Sequence, residues 1–231
     1  MGGVTQAAQT PVLRAENLSA SLPSDKGPVR VFSDVTLDVA HTEVVDITGS
    51  SGSGKSTLLR ALARLIPHVT GELQLLGADA GTYSPQQWRG LVTLVPQKPA
   101  LRPGTVGDNL TLAWTLKLRA HDPRPAPAEL AAALEQAGLG TIELDRDIAR
   151  LSVGQQARVA LLRALLTRPK ILLLDESDAA LDEASAQAVA SLVSQFAASG
   201  GAVVRVRHRT DDGLAARRLV LAHGILTEAA T

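Results

Sequence analysis

Residues 43–57 read EVVDITGSSGSGKST. An apolar run meets a glycine-rich loop, and the loop opens directly into a helical run, STLLRALARLI. From Gly49 to Ser56 the chain satisfies G-x-x-x-x-G-K-[ST], in the strand–loop–helix setting that gives this pattern its physical meaning. Gly49, Gly52 and Gly54 permit backbone angles that other residues resist. Successive N–H groups along Gly49, Ser50, Ser51, Gly52, Ser53, Gly54, Lys55, Ser56 and Thr57 can then face a phosphate. Lys55 is placed to reach β- and γ-phosphates, and the Ser56 hydroxyl to hold Mg²⁺. A flexible Gly/Ser turn is the alternative, and the complete match in context favours the phosphate loop.

A second apolar run, ILLLDE, sets Asp175 and Glu176 at the carboxyl end of a buried strand. In an open α/β sheet that end is the ligand edge. Asp175 is a candidate to bind Mg²⁺ through water. Glu176, one residue on, is a candidate to orient or deprotonate a water at the γ-phosphate. The alternative is that both cap the next segment.

Around these two strands the pattern repeats. Residues 1–11 look like a loose tail, and residues 12–231 like one domain. VLRAENL, VRVFSDVTLDV and EVVDIT are strand-like, with Gly27 and Pro28 marking a turn. STLLRALARLI is a helix ending near Pro67, and GELQLLG and LVTLVPQ are further strands. A mostly helical insert occupies about residues 98–165, with a Pro-rich patch, DPRPAP, at 122–127. A helix from Ser152 to Pro169, the strand KILLLDE, the helix ASAQAVASLVSQFAAS, the strand AVVRVRH and a closing hairpin follow. Short apolar strands alternating with helices predict an α/β fold: a mostly parallel sheet covered by helices, with an N-terminal antiparallel part.

The bulk composition narrows function by exclusion. The 231 residues carry 23 basic and 23 acidic side chains, which argues against broad nucleic-acid or acidic-membrane binding through charge. There is no cysteine, so disulfides and thiolate metal sites are absent. Aromatics are 2% of the chain, so Ala, Leu and Val must build the core. MGGVTQAAQTPV lacks the basic start and apolar stretch of a signal peptide. No run approaches the roughly 18 apolar residues of a membrane span, so work at a membrane requires a second chain.

Residues 151–159, LSVGQQARV, are a helix start. Ser152 is the expected N-cap, with Gln155 completing a capping box. A helix start is also an anion site, because its first N–H groups lack partners. A phosphate loop, LSVGQ and ILLLDE in this order resemble the ATP-binding subunits of ABC transporters, over roughly residues 12–225. The resemblance implies two copies pairing head to tail. Each ATP then lies between one copy's phosphate loop and the other's Ser152, Val153, Gly154 and Gln155. It implies further roles. Gln97 would contact Mg²⁺, with an ordinary strand-end polar residue as the alternative. Asp182 would lie in a loop crossing the dimer interface, with a helix N-cap as the alternative. His208 would contact the γ-phosphate, with a bland strand-end histidine as the alternative.

The chain departs from this family's pattern in places. Val153 replaces a glycine of LSGGQ. Ser21 and Leu22 stand where an aromatic residue usually stacks on adenine. Asp46, Arg205 and Arg207 stand where apolar residues are usual. Asp46 is three residues before Gly49, and Arg205 three before His208. Level strand ends predict an Asp46–Arg205 ion pair, since an unpaired buried charge costs several kcal/mol; each charge reaching the sheet edge separately is the alternative.

TVGDNLTLAWTLKLR, with Thr105, Asp108, Asn109 and Trp114, resembles a stretch of the bacterial Fet-type iron-export ATPase subunits, although Ala113 replaces their proline. Trp114 has a simpler alternative, filling an Ala/Leu-rich core. The resemblance implies an ATPase at the cytoplasmic face of the cell membrane. It would bind ATP and Mg²⁺ and drive a separate integral membrane permease, with no nucleic-acid partner and with iron or another metal as cargo. A soluble ATP-driven switch without transport, or a subunit for another cargo, is the alternative.

Overall fold

The chain is described by a computed structural model covering residues 11–25, 27–98, 100–176, 181–207 and 212–229. His208 and the outer part of the N-terminal tail lie outside the described residues.

Two sheets form. The first is antiparallel, in the order β2-β1-β4-β5. It contains β1 (Leu13–Leu22), β2 (Val29–Val39), β4 (Val69–Leu75) and β5 (Ala78–Asp79). The second has the order β10-β9-β3-β8-β7-β6. It contains β3 (Val44–Thr48), β6 (Val92–Val95), β7 (Ile171–Asp175), β8 (Ala202–Val206), β9 (Arg217–Ala222) and β10 (Ile225–Glu228). All its pairings are parallel except β10 on β9. The predicted antiparallel part and mostly parallel sheet are both present.

The parallel strands are buried on both faces, which explains their apolar runs. Val45, Ile47, Ile171, Leu173, Val204 and Val206 face the first sheet and α1 (Lys55–Leu62). The alternate residues Val44, Leu172, Leu174 and Val203 face the helical layer. The helices of the chain after α1 are α2 (Pro85–Leu91), α3 (Val106–Leu110), α4 (Pro127–Gln136), α5 (Val153–Leu165) and α6 (Glu183–Ala198). Between α3 and α4 the chain makes short 3₁₀ turns rather than one long helix.

Two helices stop earlier than the sequence pattern suggests. α1 ends at Leu62, because Arg64 takes a left-handed conformation (φ 52°) and Leu65 N–H donates to Arg60 O. α5 ends at Leu165, with Arg168 left-handed (φ 52°) before Pro169. The apolar period continues past each helix because those side chains still pack on the core.

The large core aromatic is Trp88, which is fully buried. Its Nε1 donates to Leu62 O at 2.8 Å, Tyr83 lies edge-on at 5.8 Å, and the Arg64 guanidinium sits 5.6 Å from the ring centre. Trp114 is only partly buried; its Nε1 donates to Pro123 O and Arg119 lies over its ring.

Candidate nucleotide site

β3 delivers the chain to the phosphate loop, and the loop has no room for side chains at two of its glycines, Gly49 and Gly54. Gly49, Gly52 and Gly54 have φ of 147°, 78° and 102°. A Cβ at Gly49 would lie 2.3 Å from Leu221 O, and one at Gly54 2.7 Å from Val31 Cγ1. The loop is therefore pressed between β9 and β2 and held open toward the start of α1. Lys55 is buried, and its Nζ donates to Gly49 O and Ser50 O, both at 2.9 Å. Ser53 Oγ is buried with no protein partner, a polar atom facing a loop shaped for oxygen ligands.

The two apolar strands bring the predicted residues together in pairs. Ser56 Oγ donates to Asp175 Oδ1 at 2.8 Å, across 119 residues of sequence. Gln97 Nε2, just beyond β6, donates to Glu176 Oε2 at 2.8 Å. Glu176 itself has a left-handed backbone (φ 48°), and its N–H donates to Val206 O at 3.0 Å. That bond continues the β7–β8 ladder one step past the strand. It fixes where the Glu176 side chain leaves the sheet edge. An oxygen pair at Ser56 and Asp175 is the kind of hard-oxygen donor set that suits Mg²⁺, and Gln97 is bonded to the next residue along, Glu176.

The second predicted anion site is built separately. Ser152 caps α5: its Oγ accepts from Gln155 N–H at 3.3 Å, and Gln155 Oε1 accepts from Ser152 N–H at 2.9 Å. Val153, the residue that departs from the family pattern, is 60% exposed. Gly154 is glycine for a packing reason. A Cβ there would lie 2.4 Å from Ser185 Oγ on α6. Ser185 Oγ donates to Asp182 Oδ2 at 2.9 Å, and Asp182 Oδ1 accepts from Ser185 N–H at 2.8 Å. These two bonds from Ser185 hold the Asp182 carboxyl below its ordinary value. Asp182 is thus the N-cap of α6, and it stands beside the start of α5. α5 packs on α3, α4, α6 and β6, whereas α1 packs on β1 and the parallel strands. The two helix starts expected to receive phosphate belong to different layers of the chain.

Beneath the site lies the cluster expected from Asp46 and Arg205. These residues are register partners on β3 and β8. Arg205 Nε and Nη2 donate to Asp46 Oδ1 and Oδ2 at 2.6 and 2.9 Å. Asp212, unforeseen from the sequence, takes the other side of the guanidinium, at 2.9 Å from Nη1 and 3.1 Å from Nη2. Arg207 Nη1 reaches Asp212 Oδ2 at 2.7 Å. Burial pushes the Asp46 carboxyl above its ordinary value despite Arg205. Burial acts the same way on Asp212, but there the bonds and charge of Arg205 prevail and hold it low.

A phosphate loop at the start of α1, two carboxylates at the facing strand end and a separate capped helix define a class: the ATP-binding subunits of ABC transporters. The ABC transporter family pattern matches residues 32–179, and the chain belongs to this family, whose members hydrolyse ATP to drive transport. It is an ATPase and the ATP-binding subunit of such a transporter. Among its relatives is the probable iron export ATP-binding protein FetA of Escherichia coli (strain K12), 34% identical over 88% of this chain and 87% of that protein. The zinc import ATP-binding protein ZnuC of Cereibacter sphaeroides is 39% identical over 79% of this chain and 68% of that protein. The structure of a bacterial Atm1-family ABC exporter with ATP bound matches 95% of this chain with a TM-score of 0.80 at 27% identity. The chain spans 38% of that longer protein. Among the described residues, no helix is long and apolar enough to cross a membrane.

Proposed function

We propose that this subunit drives the export of a metal, iron foremost, through a separate membrane permease at the cytoplasmic face of the cell membrane. The cargo reading is supported by TVGDNLTLAW and by the relative named for iron export. The observation that carries the ATPase mechanism is the convergence of Ser56 with Asp175 and of Gln97 with Glu176. Ser56, Gln97 and Asp175 would hold Mg²⁺, which when bound neutralises charge on the phosphate oxygens. Lys55 exchanges its loop carbonyls for β- and γ-phosphate oxygens. Glu176, held by Gln97, orients the attacking water. His208 is assigned to the γ-phosphate on the family resemblance alone. Ser152, Val153, Gly154 and Gln155 receive the γ-phosphate bound by a second copy of the chain, and Asp182 lines that interface. The capping box does not compete with this role, because the remaining N–H groups of the first turn still face outward.

A groove of about 480 Å³ supports the membrane partner. Its floor includes Leu94, Val95, Leu112 and Ala164, and Leu116 and Leu118 are 59% and 46% exposed at its edge. Arg89, Lys117 and Arg163 line it, and no carboxylate does. Arg163 is partly buried, with Ala100 O as its acceptor at 3.0 Å. An amphipathic segment of the permease carrying a carboxylate matches both the apolar floor and the positive rim. The groove begins at Val95 and Pro96, next to Gln97, which gives a short path from nucleotide to partner.

Purification of the tagged chain from its native membranes in mild detergent tests this reading, repeated with Glu176→Gln to trap the ATP-bound dimer. A stoichiometric multi-span partner, and iron transport by the reconstituted pair, is the expected result. A clean preparation without a membrane protein would favour a soluble ATP-driven switch. A different transported solute would overturn the cargo.

A further inference from the structure

Glu176 is held in an uncommon backbone conformation. Its φ is 48°, in the left-handed region that a residue with a side chain keeps only where its surroundings hold it. One bond that holds it comes from β8, where Val206 O accepts from the Glu176 N–H at 3.0 Å. Val206 stands between two strands at once: its register partners are Ile47 on β3 and Asp175 on β7. The next N–H along, that of Arg207, donates to Ile47 O at 3.3 Å, just ahead of the phosphate loop. The end of β8 therefore joins the strand that delivers the phosphate loop to the strand that delivers Asp175 and Glu176.

The two residues that flank Val206 are the buried arginines. Arg205 and Arg207 alternate to the other face of the sheet, where they share a cleft with Ala186, Val189 and Val193 of α6. Arg205 uses its guanidinium in two forks, one to Asp46 on β3 and one to Asp212. Asp212 Oδ1 also accepts from Leu214 N–H at 3.2 Å, which ties the second fork to the chain leading into β9. Arg207 closes the group on Asp212 Oδ2. Charge-assisted forks on one planar guanidinium fix β3, β8 and the Asp212 segment relative to one another, in distance and in angle.

Such a cluster adds little net stability of its own, because apolar side chains of similar volume often serve a fold as well as a buried ion pair. What apolar packing does not supply is direction, since the hydrophobic effect is non-directional. Direction matters at the end of this strand. A shift of about 1 Å at a reacting group costs on the order of a hundredfold in rate. We propose that the Asp46–Arg205–Asp212–Arg207 cluster is a positioning device for ATP hydrolysis. It fixes the end of β8 and, through Val206 O, the point and direction at which Glu176 meets the attacking water. This rests on the reading of Glu176 as the residue that orients that water. The cluster acts through Glu176 alone, so the hold on ATP is left to Lys55 and the loop N–H groups.

The test uses the full chain with Asp46→Ala and Arg205→Leu together, which removes both partners and strands neither. Calorimetric binding of ATP with Mg²⁺, steady-state hydrolysis and backbone amide exchange are measured beside the parent and Glu176→Gln. ATP affinity within about twofold of the parent is expected, with kcat lower by about 10- to 100-fold. Amide exchange should quicken at Glu176 and Arg207 while the rest of the parallel sheet keeps its protection. Asp212→Ala, at the partly exposed edge of the cluster, is the second variant, with a smaller fall in kcat and the same ATP affinity expected. A kcat within about twofold of the parent in the paired variant would overturn the proposal. So would parallel losses of affinity, kcat and sheet-wide protection, the pattern of a merely structural cluster. Glu176→Gln hydrolysing ATP at the parent's rate would overturn the reading of Glu176, and the proposal with it.

Discussion

Asp46 and Arg205 sit side by side on adjacent parallel strands, 159 residues apart in sequence, and share two hydrogen bonds in the interior of the sheet. Their neighbours on the same face, Val44, Leu174 and Val203, are apolar. The pair is therefore desolvated, and Asp212 and Arg207 complete it at the ligand edge. Removing one partner should cost more than the pair is worth. Asp46→Ala is expected to destabilise the chain by about 3–5 kcal/mol, because it strands a buried guanidinium beside a single remaining carboxylate. Adding Arg205→Leu should recover most of that loss, since Arg207 and Asp212 still pair. Urea unfolding of the two variants checks both values.

Acid should weaken the fold partly through Asp212. Its folded carboxyl is held below the ordinary value of 3.8, so the unfolded chain binds the proton more tightly. The stability it contributes is present above that ordinary value and is lost as pH falls through the folded one. Asp46, pushed upward by burial, has the opposite sign. Asp212→Asn is expected to be less stable than the parent at neutral pH and to lose stability less steeply below about pH 4. Denaturant melts across pH measure the two slopes; equal slopes would remove Asp212 from the acid transition.

Gly154 should tolerate alanine only if α6 yields. A Cβ there meets Ser185 Oγ at 2.4 Å and Ser185 Cβ at 3.0 Å. Gly154→Ala is expected to cost about 1–3 kcal/mol by overpacking. Ser185→Gly in the same chain should restore the space and remove the Oγ bond to Asp182, while the backbone N–H of residue 185 still caps through Asp182 Oδ1. ATP-dependent dimerisation of the two variants, measured by light scattering beside thermal melts, separates packing from anion binding.

Trp88→Ala is expected to cost about 3–5 kcal/mol, the scale for emptying a large aromatic site. Trp88→Phe should cost less in volume but leave Leu62 O without its indole donor. Because Leu62 ends α1, the second variant should also raise KM for nucleotide. ATP hydrolysis and unfolding measured on the same preparations test this.

The site was legible in the sequence where chemistry is local. GSSGSGKST names its own glycines, lysine and hydroxyl, because a phosphate loop is made from consecutive N–H groups. The capping box at Ser152 and Gln155 is equally local. The same S-x-x-Q spacing, with proline at the first helical position, begins α2 at Ser84 and Gln87, so α2 and its Trp88 were open to the same reading. The Asp46–Arg205 pair was also within reach, because parallel strands that end level must set equally spaced residues abreast.

What the sequence by itself determined, then, is the set of strands, the phosphate loop and the carboxylates that follow a buried strand. Each depends on period, turn chemistry and consecutive backbone donors. Only the tertiary structure decided the rest. It set Asp212 against Arg205 and Gly154 against Ser185. These are contacts between elements remote in the chain. Their geometry follows from how two layers pack on one sheet, and no local pattern of residues encodes that distance.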